Sequence, residues 1–320
     1  MLRQDLAVLY WPLLYFGFTR VLAERGLDKR LLWRNLLFVA LGFAFYMFIA
    51  RALNHSFQDP GLANVPTGAG EVVQRNFGFA SAFTIYPILA IAAIAVFSSA
   101  RDHRVRWMVV GCIGVVATLM TLVRGEIFSL ALGVVLVVWL TPTRGLGQGR
   151  ARAAVQLAVV LAIALLGVLA VDPKLGHAVI QRAVPFTSQA EGASANADYR
   201  FQAMGAGIDV ARAHPLGLGV VDETRLADHD VQFGYLVHSG FATLLVYGGW
   251  VALVVAILAI LAAIRRSFAT AAAATWRHPA FVGAIVMLGF YSLGAAGLAG
   301  DSWVVPLGAL VVALRFGLKP

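Results

Sequence analysis

Residues 107–140 read WMVVGCIGVVATLMTLVRGEIFSLALGVVLVVWL, and the only charges in that stretch are Arg124 and Glu126. On either side of the pair lie apolar runs, 107–123 and 125–140, each approaching the ~20 residues that carry a helix across a bilayer. Backbone in hydrocarbon must satisfy its own hydrogen bonds, so both runs read as transmembrane helices and Arg124-Gly125-Glu126 as the tight turn of a helical hairpin. Working outward, further apolar runs fall at 5–22, 31–50, 77–98, 153–171, 238–264, 280–299 and 303–317, for about nine spans in all. Composition points the same way: hydrophobic residues make up 60% of the chain, charged residues 13%, and mean hydropathy is +0.80, far from the balance of a water-soluble domain. No ten-residue alternation suggests a barrel. The expected fold is all-α, a polytopic integral membrane helical bundle forming a single transmembrane domain over 1–320.

Charge sets the expected orientation. Every second connection is basic: Arg20 to Arg34, then Arg101 to Arg106, then Arg144 to Arg152, then Arg265 to Arg277, with Arg315 and Lys319 after the last run. By the positive-inside rule these face the cytoplasm. The segment 51–76, the Arg124 turn, the long segment 172–237 and the Gly300-Asp301 turn then face outward. Met1 falls outside, as expected if a few N-terminal spans were missing, and the first run reads as a retained span rather than a signal peptide. The net charge of +9 is spread over short loops, unlike the single basic face of a nucleic-acid-binding protein. The lone Cys112 sits inside an apolar run and excludes a disulfide framework.

The one sizeable polar region is 172–237, read as an extracytoplasmic loop. Asn196 is a candidate cap for a short surface helix near 197–213, with Phe201, Met204, Ile208 and Ala211 on one face and His214-Pro215 ending it. Within the spans, Gly42, Gly111, Gly114 and Gly133 read as close-packing points. Asp222, Glu223, Asp228, His229 and Asp230 have neither zinc nor EF-hand spacing and read as a solvated loop. No P-loop, nucleophile elbow or HExxH is present.

Four residues could carry chemistry. Arg124 stands on the expected outer side against the charge trend; it either snorkels to headgroups or pairs with Glu126, or it serves a site. Arg200, beside Tyr199 on the surface helix, either pairs with Asp198 or Glu191 or binds an anion. Arg75 flanks the first outer loop. His238 opens the seventh span, where the positive helix end disfavours imidazolium and leaves a neutral general base, or merely an interfacial cap. All four fall on one side of the membrane by the alternation of charge. Arginines suit bidentate phosphate binding, so the set reads as a pocket for a lipid-linked phosphate or diphosphate.

In three stretches the chain resembles the O-antigen ligase and polymerase family of bacterial envelope glycosyltransferases. These are Leu122-Val123-Arg124-Gly125 before an apolar helix; Tyr199-Arg200 through the turn His214-Pro-Leu-Gly-Leu-Gly219; and His238, Phe241 and Gly248-Gly249 in the opening of a span. A fainter match is Arg75-Asn-Phe-Gly. The chain departs from the family pattern at Ser239, where Asn commonly follows the His, and at Val123, where Ser often precedes the Arg. The family typically has about twelve spans. The resemblance implies transfer of a glycan from an undecaprenyl-diphosphate carrier to an acceptor hydroxyl, on a glycan or lipid-linked acceptor, at the outer face of the bacterial inner membrane. It implies an inverting displacement with no metal, cofactor or nucleotide sugar. Arg124, Arg200 and Arg75 would hold the diphosphate and His238 would be catalytic. A polymerase joining carrier-linked repeat units stays open. So does a transporter of lipid-linked glycan, although the spans lack the paired charges or repeats expected of one.

Overall fold

The computed structural model describes residues 85–99, 104–141, 148–183, 191–219, 226–229, 239–269 and 277–294, two short strands, residue 231 and scattered positions between 38 and 49. The runs at 5–22 and 303–317 lie outside the described residues. The helices are α1 (Ile85–Ser99), α2 (Arg104–Met120), α3 (Arg124–Leu140), α4 (Gln148–Val171), α5 (Pro173–Ala183), α6 (Glu191–Ala213), α7 (Gly240–Ala269) and α8 (Arg277–Gly294). Beside the helices that make the fold all-α, two three-residue strands, β1 (Asn64–Pro66) and β2 (Val72–Gln74), pair antiparallel, Asn64 opposite Gln74 and Pro66 opposite Val72.

Within α7, Gly240–Ala262 is long and apolar enough to cross a membrane, while the apolar parts of α1, α2, α3, α4 and α8 are shorter. At 17 residues each, α2 and α3 rise about 25 Å, a little under the ~30 Å hydrocarbon thickness. The packing has the character of a lipid-solvated bundle. Small residues let helices approach: a Cβ at Gly114 would meet the Ala90 backbone at 2.8 Å, and one at Gly133 would meet Gly283 O at 3.0 Å. Large apolar side chains face outward, among them Val155, Val159, Ile163 and Leu166 on α4 and Val251, Val254, Val255 and Leu258 on α7. In water such stripes would be a liability, whereas lipid is as apolar as they are. Of the other expected packing glycines, Gly111 makes ordinary contacts and Gly42 has nothing near its Cβ position.

The described helices place their ends in two groups. Phe97, Trp107, Leu140, Ile264, Ala280 and Phe281 gather in one apolar cluster, and Phe268 lies edge-on to His278 with ring centroids 4.1 Å apart. The basic connections leave from that end. At the other, a second cluster joins Tyr86, Met120, Leu122, Val168, Leu175 and Val179. It contains the Arg124 turn, the end of α4 and the start of α5.

Two features of the polar segment differ from the sequence reading. Asp172-Pro173, at the head of the segment read as a loop, starts helix α5: Leu175 N–H donates to Asp172 Oδ1 at 3.0 Å, and Pro173 occupies the first helical position, where its missing N–H costs nothing. The second helix begins at Glu191 rather than after Asn196, so Asn196 is inside it and is not the cap. Its buried face is also shifted. Ala203, Gly207, Val210 and Ala211 are buried while Phe201 is 78% exposed, because small residues on this helix meet another helix closely.

Candidate functional site

The turn before α3 is held from within. Thr121 Oγ1 lies 2.7 Å from Thr118 O and 3.1 Å from Glu126 Oε2, to either of which it can give its proton, and it accepts from Val123 N–H at 3.2 Å. Glu126 is fully buried in the first turn of the helix, where the N-terminal dipole favours a carboxylate. Leu122 is buried with φ of 53°; a non-glycine residue in that region costs about 1–3 kcal/mol and persists only where its surroundings over-determine it. Arg124 is therefore the first residue of a helix whose entry is fixed by a threonine, a carboxylate and a strained leucine. Its backbone stands at the end of the bundle opposite the basic connections.

A second construction lies along α6 and α7. Gly207 approaches Ala242 so closely that a Cβ would stand 3.1 Å from Ala242 Cα, and the turn after α6 docks at Gly249. Residues 207 and 215 thus match 242 and 249 in the same order, so the helices run parallel. Arg200 precedes Gly207 by seven residues, and α7 begins two residues before Ala242. At 1.5 Å per residue, the Arg200 backbone projects about 7.5 Å beyond the start of α7. It continues the stripe Ala203, Gly207, Val210 that faces α7.

The start of α7 is capped by Ser239, whose Oγ accepts from Ala242 N–H at 3.2 Å, while Thr243 Oγ1 donates to Ser239 O at 2.9 Å. Serine replaces the asparagine of the family pattern with a residue that caps equally well. His238 itself lies outside the described residues, immediately before this cap in sequence; so does Arg75, immediately after β2. The side chains of Arg124 and Arg200 are likewise outside the described set.

Deeper in α7, Gly249 has φ 59° and ψ −157°, a region open essentially to glycine alone. The break frees groups that the 215–219 turn then satisfies. Trp250 N–H donates to Pro215 O at 3.0 Å, Leu218 N–H to Val246 O at 2.8 Å and Gly219 N–H to Tyr247 O at 3.0 Å. A Cβ at Gly249 would stand 2.1 Å from Pro215 O. Before the break α7 is mostly buried in protein; after it, Trp250, Val251, Val254 and Val255 are exposed. Val210, Leu226, Val231 and Val246 seal the joint. Sequence reading had the Pro-Leu-Gly-Leu-Gly and Gly-Gly motifs but nothing in either marks the other as its partner.

The remaining geometry relates the two constructions. Gly283, in the first half of α8, lies against Gly133 and Val137 in the second half of α3, and His278 at the start of α8 lies against Phe268 at the end of α7. The N-termini of α3 and α7 therefore share one end, with α8 between them. β2 comes within 8 Å, Cα to Cα, of α5, which belongs to the same end. His214 and His229 meet edge-on with centroids 4.9 Å apart; of the polar string considered above, Asp222, Glu223 and Asp230 lie outside the described residues. Among the described residues no group of three or more His, Cys, Asp or Glu could hold a metal.

A helical bundle with close small-residue contacts inside, large apolar residues outside and one helix long and apolar enough to cross a membrane has the build of an integral membrane protein. Residues 107–257 match the family model described as O-antigen ligase, so this part of the chain is similar to that family. The matched region runs from the α2–α3 hairpin to the far side of the Gly249 break. That similarity supports a glycan-processing membrane protein. No curated protein matches it.

Proposed function

We propose that the protein transfers a glycan from an undecaprenyl-diphosphate carrier to an acceptor hydroxyl at the outer face of the bacterial inner membrane, and that the face bearing the Arg124 turn and the start of α7 is the outer one. The observation carrying this reading is the convergence of three elements at one end of the bundle: the N-terminus of α3 at Arg124, the N-terminus of α7 after His238, and α6, which projects Arg200 beyond α7. Helix N-termini favour anions, and arginine forks match phosphate oxygens.

In this reading Arg124 and Arg200 hold the diphosphate, with Arg75 contributing from the outer hairpin. His238 accepts the proton of the acceptor hydroxyl as its oxygen bonds to the sugar's anomeric carbon from the face opposite the diphosphate. The anomeric carbon–phosphate oxygen bond breaks, its electron pair leaves with the diphosphate, and configuration inverts. Charge grows on that leaving group as the bond breaks, so arginine stabilisation in a site of low dielectric is the largest expected term, and proton removal contributes a further ~10²–10⁴-fold. No step calls on a metal.

The test is reconstitution. Purified protein in lipid vesicles, given a carrier-diphosphate-linked glycan and an acceptor, should release one carrier diphosphate per glycan transferred and give no product with the monophosphate-linked donor. Donor crossing the vesicle membrane without transfer would instead favour a transporter. Glycan moved onto a second carrier-linked repeat unit would assign polymerase rather than ligase activity.

A further inference from the structure

The interlock at Gly249 does more than end a helix. Its three hydrogen bonds tie the turn 215–219, which terminates α6, to residues 246, 247 and 250 of α7. The α-helical pattern would have Trp250 N–H donate to Val246 O. Here both groups are given to the turn instead, so the turn stands in for a missing stretch of α7 and can dock at only one level. Glycine is required on both sides. Gly249 has positive φ and its Cβ position is filled by Pro215 O; Gly217 has φ of 77° and its Cβ would stand 2.5 Å from Tyr247 C. Above the joint, α6 meets α7 through small residues, Gly207 close against Ala242, with Ala203 buried one turn earlier on α6. Smooth small-residue surfaces permit sliding.

We propose that the interlock of Pro215–Gly219 with the break at Gly249 sets the axial register of α6 on α7, and that Gly217 and Gly249 are thereby positioning residues holding Arg200 at its working height above the start of α7. The assignment of Arg200 to the donor site rests on the proposed function; the register claim does not. Neither glycine touches substrate. A one-turn slip of α6 would move Arg200 by about 5.4 Å along the helix, enough to take a guanidinium fork out of reach of a phosphate.

The experiment uses the full chain with Cys112→Ala, Gly207→Cys and Ala242→Cys. The Cβ of residue 207 would lie 3.4 Å from that of Ala242, beside the span of about 3.5–4.5 Å found in disulfides. The parent should cross-link readily on oxidation. Adding Gly249→Ala should slow cross-linking at least tenfold and slow glycan transfer by a similar factor in the reduced state, and completing the disulfide should restore transfer by forcing the register back. Gly219→Ala is a milder variant: it strains φ of 73° while meeting nothing within 4 Å, and it should shift both readouts the same way, so a chain that fails to insert with Gly249→Ala is replaced by it. Cross-linking at the parental rate in both glycine variants overturns the proposal, as does a parent that does not cross-link, or a cross-linked Gly249→Ala protein that still transfers as slowly as its reduced form. If no variant, parent included, transfers glycan, the functional reading fails while the cross-linking rates still decide the register.

Discussion

A single methyl group added at Gly283 should drive α3 and α8 apart. Its Cβ would stand 2.8 Å from Gly133 O, 3.1 Å from Val137 Cγ2 and 3.2 Å from Ile91 Cγ2, where carbon contacts are comfortable at about 3.5–4.0 Å. The first neighbour is backbone and cannot rotate away, so the helices must separate by several tenths of an ångström or the site stays overpacked, at about 1–3 kcal/mol. Against this, replacing a helix-interior glycine by alanine returns about 0.5–1 kcal/mol of backbone entropy. The net effect of Gly283→Ala is a loss of up to about 2.5 kcal/mol. Gly289, on the same helix, has nothing within 4 Å of its Cβ position, so Gly289→Ala collects only the entropic gain, about 0.5–1 kcal/mol of stabilisation. Thermal unfolding of the two variants in one detergent, followed by tryptophan fluorescence, should give shifts of opposite sign. If Gly283→Ala stabilises as much as Gly289→Ala, the close approach of α3 and α8 is refuted, and with it the argument that Arg124 and the start of α7 share an end.

Three further outcomes are expected. Ser239→Ala should cost about 1 kcal/mol of stability by removing the cap of α7, while Ser239→Asn should cost little, as melting of the two variants in parallel will show. Arg124→Lys and Arg200→Lys keep the charge but lose the planar fork, so each should lower transfer by about 10²-fold while the protein still inserts; full activity in both would remove these residues from the site. Cysteine at Ser194 should react with an impermeant thiol reagent in intact spheroplasts and cysteine at Thr143 should not, and the reverse pattern would invert the proposed orientation.

How much of this was legible in the sequence depended on what kind of signal each feature leaves. The α2–α3 hairpin was readable because one charged pair interrupts an apolar run, although the turn itself is Thr121–Val123 and Arg124-Gly125-Glu126 form the first turn of α3 rather than the connection. The sequence reading grouped Phe201, Met204, Ile208 and Ala211 on one face of a surface helix, because large apolar side chains dominate a periodicity argument. The face that packs is the small one, Ala203 and Gly207, because close backbone approach decides association where lipid competes for large side chains. Asp172-Pro173 carries the same residues whether it turns the chain or starts a helix, and only the Leu175 N–H bond distinguishes the two. The cap at Ser239 was visible as a departure from the family's asparagine, and capping gives that departure a physical reason. The docking of residues 215–219 onto the Gly249 break was beyond sequence reading, since a glycine pair in a span announces a weak point but not what fills it.

The division of labour between the arginines and His238 is tested most directly by measuring donor binding and transfer on the same preparations of wild type, Arg200→Lys and His238→Ala. The account predicts that His238→Ala binds the carrier-diphosphate glycan with near-normal affinity yet transfers it about 10²–10⁴-fold more slowly. Its residual rate should climb at high pH, as the acceptor hydroxyl ionises without help. Arg200→Lys should weaken donor binding instead. Transfer by His238→Ala at the wild-type rate would contradict the general-base assignment, and loss of donor binding in that variant would place His238 in the diphosphate pocket.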